Sequence, residues 1–176
     1  MTTPKLPISV LAVTLFSALA LSAQGAKPVA AAPVPAPIAA AKKVFISNTG
    51  VDPICLEMFR RLGDPNLPYN QFYASMKEWG RYELVASPAD SDVVFEIRFA
   101  APITDTGKIT SFAPQYDVSI VDSKTRFTLW TLSEPVEGAF RKSTFEKNLN
   151  VAMISLMGDV KKLVAPTEVL AGVTQK

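Results

Sequence analysis

The feature that most constrains the fold of this chain is a short stretch in which apolar and polar side chains alternate. Residues 93–99 place Val93, Phe95, Ile97 and Phe99 on one side of an extended backbone and Val94, Glu96 and Arg98 on the other. A period of two is that of a β-strand. A strand with one apolar face and one wetted face is typical of an antiparallel or mixed sheet that is covered on a single side.

Other segments supply the remaining elements of such a sheet and its cover. Short β-branched and aromatic runs predict four further strands, at residues 43–47, 81–85, 116–120 and 127–132. Apolar residues at helical spacing predict helices over 53–62, 68–79 and 143–165.

These elements predict the α/β class, specifically an α+β two-layer sandwich. We expect a mixed five-stranded sheet with helices packed mainly on one face, in the order β-α-β-β-β-β-α. Residues 100–114, which contain Pro102, Gly107 and Pro114, are expected to form a loop. Asp52 is expected to cap the helix that starts at Pro53, and Ser143 and Glu146 are expected to form a capping box.

The N-terminus has the composition of an export signal. Lys5 precedes an uncharged apolar run over residues 8–20, and small residues follow it. We predict a signal peptide over 1–26, an Ala/Pro-rich linker over 27–42, a single domain over 43–165 and a flexible tail over 166–176. The sequence leaves open whether the apolar run is cleaved or stays as an anchor, and it predicts a periplasmic or secreted protein.

Composition removes several classes of chemistry. The chain has no histidine and a single cysteine, Cys55. Histidine-based nucleophile activation, an intramolecular disulfide and a cysteine-cluster metal site are therefore excluded. The formal charge of +2 gives no sign of nucleic-acid binding. Cys55 lies far downstream of the apolar run and on an apolar helical face, so we predict no lipid anchor and a buried thiol.

Short motifs yield no catalytic or metal site. Asp105-Thr106-Gly107 matches the aspartic-protease triplet but has no second copy, and Gly107-Lys108 lacks the rest of a phosphate loop, so both are interpreted as turn residues. Asp90 and Asp92 are too few to bind a cation and are also interpreted as turn residues. Glu96 and Asp117 could meet on the open sheet face, but exposed strand carboxylates are usual there. We predict no catalytic, cofactor-binding or metal-binding residue and no cofactor.

Two stretches carry a resemblance to a known group. Residues 121–130 (VDSKTRFTLW) resemble the V-D-x-x-T-x-x-x-L-W hairpin of envelope proteins with the TolB amino-terminal-like fold. Residues 80–85 and 88–94, a strand, a turn and an apolar strand, are similar to the same group, as is the closing helix. The group includes curli-secretion lipoproteins and lipoprotein activators of penicillin-binding proteins. Arg126 stands where glycine is usual in that hairpin, and the lipid-attachment cysteine is absent.

The resemblance, over roughly residues 43–165, implies a non-enzymatic envelope module and assigns no functional residue. Our first hypothesis is an exported binding or assembly module that contacts another envelope protein, or a second copy of itself, through a sheet edge or the exposed sheet face. The alternatives are a carboxylate-only hydrolase of cell-wall glycan and a small-molecule or glycan binder that uses Tyr82, Tyr116 or Trp130. Trp130 could equally pack at the edge of the core.

Overall fold

The computed structural model describes residues 32–105, 107 and 110–165. The predicted signal peptide, the first part of the linker, Thr106, Lys108, Ile109 and the tail over 166–176 lie outside the described residues. A compact unit begins at Pro33.

A five-stranded mixed sheet forms one layer of this unit. Its strands occur along the chain with a separate short hairpin, β4 and β5, between the third and fourth of them. The bounds are β1 Lys43–Val51, β2 Glu83–Leu84, β3 Val93–Ala100, β4 Ile103–Asp105, β5 Thr110–Phe112, β6 Gln115–Asp122 and β7 Thr128–Pro135. In space the order is β2-β1-β3-β6-β7. β1 runs parallel to β2 and β3, whereas β3, β6 and β7 are antiparallel to one another.

Helices form the second layer. Their bounds are α1 Ala36–Ala40, α2 Pro53–Leu62, α3 Leu67–Trp79 and α4 Lys142–Val164. The long helix α4 buries the apolar stripe that its sequence predicts, including Phe145, Leu149 and Leu156. That stripe packs against the apolar face of the sheet, on which Phe95, Ile97 and Phe99 are also buried.

An aromatic cluster lies at the centre of the interface between helices and sheet. The ring of Phe99 on β3 lies 5.0 Å from that of Phe59 on α2 and 5.3 Å from that of Tyr116 on β6, both edge-on. Phe145 on α4 lies 5.3 Å from Phe59. Edge-to-face aromatic pairs add about 0.5–1.5 kcal/mol each beyond the area they bury, so this cluster fixes α2 and α4 onto the sheet.

The predicted fold class is confirmed, and the differences are local. Residues 100–114 are not a plain loop, because Ile103 pairs with Phe112 in the β4–β5 hairpin. Each strand has only three residues and is flanked by Pro102 or Pro114, so the alternation that marks a strand is too short to detect.

The predicted capping box at the start of α4 is wrong. The helix begins at Lys142, with Arg141 as its N-cap and no side-chain cap bond. Glu146 lies 3.8 Å from the Lys142 ammonium group instead of turning back to the helix end. Ser143 and Glu146 therefore lie within the helix, where i,i+4 charge pairing replaces capping.

Part of the predicted linker packs against the domain. Residues 36–40 form the short helix α1, and Ile38 is fully buried in the core. Burying an isoleucine side chain is favourable by about 1.5–3 kcal/mol, which outweighs the preference of an Ala/Pro-rich stretch for an extended spacer.

Candidate binding surface

The sheet face opposite the helices carries polar side chains from three antiparallel strands. The register sets them in two rows that run across the sheet. One row contains Glu96, Ser119 and Thr131, and the next contains Arg98, Asp117 and Ser133. Cross-strand neighbours in such rows lie close enough to interact, so the alternation of each strand produces a continuous hydrogen-bonding surface.

This polar surface does not extend over the whole face. Val94, which the sequence places on the wetted side, is only 2% exposed. Its register neighbours are Phe45 on β1 and Val121 on β6. Apolar neighbours on both sides shield Val94 from water, so the wetted part of the face begins beyond it, at Glu96.

A shallow groove of about 590 Å³ runs across the polar rows. Asp117 lies along it and accepts hydrogen bonds from the Gln115 amide at 2.6 Å and from the Ser133 hydroxyl at 2.7 Å. The bond from Ser133 joins β6 to β7 by their side chains as well as by their backbones. These two hydrogen bonds hold the side chains of this groove wall in one arrangement.

An ion pair closes the other side of the groove. The Arg98 guanidinium donates to the Asp52 carboxylate, which also accepts a bond from the Ala101 N–H at 3.4 Å. Asp52 is the N-cap residue of α2, as predicted, but its side chain makes no cap bond. Its carboxylate turns toward β3 because a charged donor binds it more strongly than a neutral backbone N–H does.

Cys55 lies in the first turn of α2 and is buried, as expected. Burial raises the pKa of its thiol to about 11, the negative charge of Asp52 adds to the rise, and Arg98 opposes it. A thiol with a raised pKa is a poor nucleophile, which gives Cys55 a packing role.

The two carboxylates proposed as an acid–base pair are near each other but lack the required environment. Glu96 lies opposite Ser119, and Asp117 lies two residues along the same strand. Carboxylate catalysis needs one acid in an apolar pocket so that it stays protonated. Glu96 and Asp117 both line the polar groove on the open face, where no such pocket surrounds them.

The aromatic residues suggested for ligand binding lie on the other side of the sheet. Tyr116 is fully buried, and its hydroxyl donates to Gln71 at 3.0 Å. Tyr82 is buried beside Trp79 and Phe95. Trp130 is half-buried and packs against the core. These three residues therefore belong to the core rather than to a binding surface.

Asp90 and Asp92 serve as turn residues, as their spacing predicts. The Asp92 carboxylate accepts bonds from the N–H groups of Lys42 at 2.8 Å and Lys43 at 2.9 Å, tying the turn to the start of β1.

Within residues 32–105, 107 and 110–165 there is no group of three or more acidic or sulfur side chains placed to hold a metal ion. No helix of the described chain has the length and apolarity that crossing a bilayer requires.

β7 forms one edge of the sheet, and its outward groups follow from the register. The N–H of Val136 donates to the carbonyl of Pro114 at 2.7 Å. Hydrogen-bonded and non-hydrogen-bonded pairs alternate along an antiparallel ladder, so the backbone groups of Leu132 point toward β6. Those of Thr131 and Ser133 point away from the sheet, and both residues are exposed.

The ends of this edge are blocked. The register shifts between Ile120 and Val121, which leaves Leu129 as the extra residue of a β-bulge. Pro135 has no N–H to donate at the other end. The open part of β7 is therefore the short window from Thr131 to Ser133. The opposite edge is β2, which has only two residues.

The sequence predicts a binding surface on a sheet edge or the open face, but it identifies neither Thr131 nor Ser133. The available signal was Pro135, because proline near the end of a strand marks an edge. Which strand ends up at the edge depends on the spatial order, and that order cannot be read from the sequence of a single strand.

No known protein family model matches this chain, and no curated protein matches it. Solved structures are similar to it at low identity. A lipoprotein from Neisseria meningitidis is 12% identical with a TM-score of 0.35, covering 67% of this chain and 99% of that one. A PelC dodecamer from Paraburkholderia phytofirmans is 12% identical with a TM-score of 0.40, covering 76% and 93%.

A third similar structure, a minor lipoprotein from Acinetobacter baumannii, is 11% identical with a TM-score of 0.31, covering 70% of this chain and 91% of that one. At these scores and identities the likeness is too low to assign a function. The resemblance to the TolB amino-terminal-like group stays a prediction.

Proposed function

We propose that this protein is an exported, non-enzymatic assembly module of the bacterial cell envelope, periplasmic or secreted, that binds proteins by strand addition at β7. The observation that carries the proposal is the window from Thr131 to Ser133, where N–H and C=O groups point out of the sheet. Unpaired backbone groups at a sheet edge are a template for an incoming strand.

The surroundings of the window favour an added strand over a small ligand. The groove beside it is shallow and polar rather than a closed apolar cavity, which a small molecule would need. Side chains of an added strand would lie next to the hydroxyls of Thr131 and Ser133 on the open face. The partners we expect are other proteins of the cell envelope.

The test uses the immobilised full chain to capture proteins from an envelope extract, and it compares the wild type with two variants of Thr131. Thr131→Pro removes the outward N–H. It breaks no hydrogen bond to β6, because that N–H points away from the sheet. Thr131→Val keeps the N–H and changes only the side chain. We expect proteins captured by the wild type to be retained by the valine variant and lost by the proline variant.

The melting temperature of the proline variant must be measured alongside, so that lost capture is not confused with unfolding. If the folded proline variant captures the same proteins as the wild type, strand addition at β7 is wrong.

A further inference from the structure

The blocked ends of β7 restrict how a strand can pair with it. Between the bulge at Leu129 and Pro135, which lacks an N–H, Thr131 and Ser133 each present both an N–H and a C=O outward. Leu132 between them is bonded to β6. A partner strand that forms hydrogen bonds with the N–H and C=O groups of both residues must itself present such groups on two residues that are two positions apart.

A second copy of β7 has that spacing. From the geometry we infer that β7 pairs antiparallel with β7 of a second copy about a two-fold axis at Leu132. Thr131 of one copy then lies opposite Ser133 of the other. The two-fold axis generates a second, identical pair between Ser133 of the first copy and Thr131 of the second. This inference rests on the proposed use of the β7 edge, and it names the partner.

The two-fold symmetry leaves only one register that uses the whole window. Each hydrogen-bonded antiparallel pair exchanges both of its N–H···O bonds. An axis at Thr131 would pair Ser133 with the bulged Leu129, and an axis at Ser133 would pair Thr131 with Pro135, which cannot donate. An axis at Leu132 avoids both blocked positions.

The side chains are also self-complementary in this register. Leu132 is half-buried on the helix side, and it would meet Leu132 of the second copy across the axis, where cross-strand side chains approach most closely. Trp130 would lie opposite Glu134 of the second copy, so that the indole N–H faces a carboxylate acceptor. The two Glu134 side chains do not oppose each other.

On the open face the pairing would join two polar surfaces. Thr131 and Ser133 from both copies would lie side by side, so that the rows through Asp117 and Ser119 continue from one copy into the next. The result is one ten-stranded sheet with a single polar face and two grooves.

Mixed disulfide formation tests the register directly. One batch of the full chain carries Thr131→Cys and a second, differently tagged batch carries Ser133→Cys. The opposed positions should lie about 5.5 Å apart between Cα atoms, which a disulfide spans. The same position in both copies lies on a diagonal of roughly 7–8 Å, at or beyond the limit of a disulfide.

We expect the mixed disulfide to exceed either homodisulfide several-fold under mild oxidation, and wild-type chain to form none because Cys55 is buried. Sedimentation should detect a dimer whose dissociation constant rises at least about tenfold in Thr131→Pro and is unchanged in Thr131→Val.

The two proposals fail separately. A chain that sediments as a monomer at high concentration, or a mixed disulfide no more abundant than the homodisulfides, overturns the self-pairing. Capture of a different protein that is lost in Thr131→Pro would then still support strand addition. A proline variant that changes neither the dimer nor the capture overturns both.

Discussion

Replacing Arg126 by glycine should stabilise the protein. Arg126 is the one non-glycine residue of the described chain with a positive φ, at 63°. It follows the turn at residues 122–125, and its N–H donates to the Asp122 carbonyl at 3.0 Å. The left-handed conformation brings Cβ against the backbone and costs about 1–2 kcal/mol in a residue that has a side chain.

The expected gain is smaller than this cost. Glycine loses about 0.5–1 kcal/mol more conformational entropy on folding than a residue with Cβ does. The net stabilisation of Arg126→Gly is therefore about 0.5–1 kcal/mol, a rise in Tm of roughly 2–4 °C for a domain of this size.

Urea unfolding followed by circular dichroism, with Arg126→Ala as the matched control, measures this effect. Alanine removes the same charge and the same long side chain but keeps Cβ, so it should leave stability unchanged or lower it slightly. The reasoning is refuted if the glycine variant is no more stable than the alanine variant, because Cβ strain would then not be what distinguishes them.

Two further predictions concern titratable groups. Backbone N–H groups of Lys43 and Lys42 lower the pKa of the Asp92 carboxyl below its ordinary value, so the stability it contributes is present above that value and is lost as the pH falls below about 4. The free energy of unfolding of Asp92→Asn should therefore fall less steeply than that of the wild type between pH 5 and pH 3, and parallel curves would contradict this. Cys55, whose pKa burial raises to about 11, should react with a thiol reagent at pH 8 only after unfolding in urea; rapid labelling of the native chain would contradict its buried position.

Much of the fold could be predicted because its signals are local. The alternation in β3 and the apolar stripe of α4 each follow from the period of their own backbone. Phe95 and Leu149 are buried as those periods require. The burial of Cys55 likewise follows from the spacing of apolar residues within its own helix.

Local patterns do not decide the structure where distant groups compete for the same residue. Asp52 occupies the predicted N-cap position, yet its carboxylate binds Arg98 on another strand. Ile38 lies in a stretch that looks like a spacer but is buried by contacts that no local window contains. Tyr82 and Tyr116 are candidates for ligand binding by residue type alone, but the packing of helices on the sheet buries both.

The sequence by itself determined the elements, the buried faces of the strands and helices, and the absence of histidine and disulfide chemistry. The tertiary structure alone decided that β7 lies at an edge and that its outward groups are those of Thr131 and Ser133. The physical reason is that a strand's period fixes which side chains share a face, whereas its hydrogen-bonding partners, and hence its free edge, depend on the order in which separate strands come together.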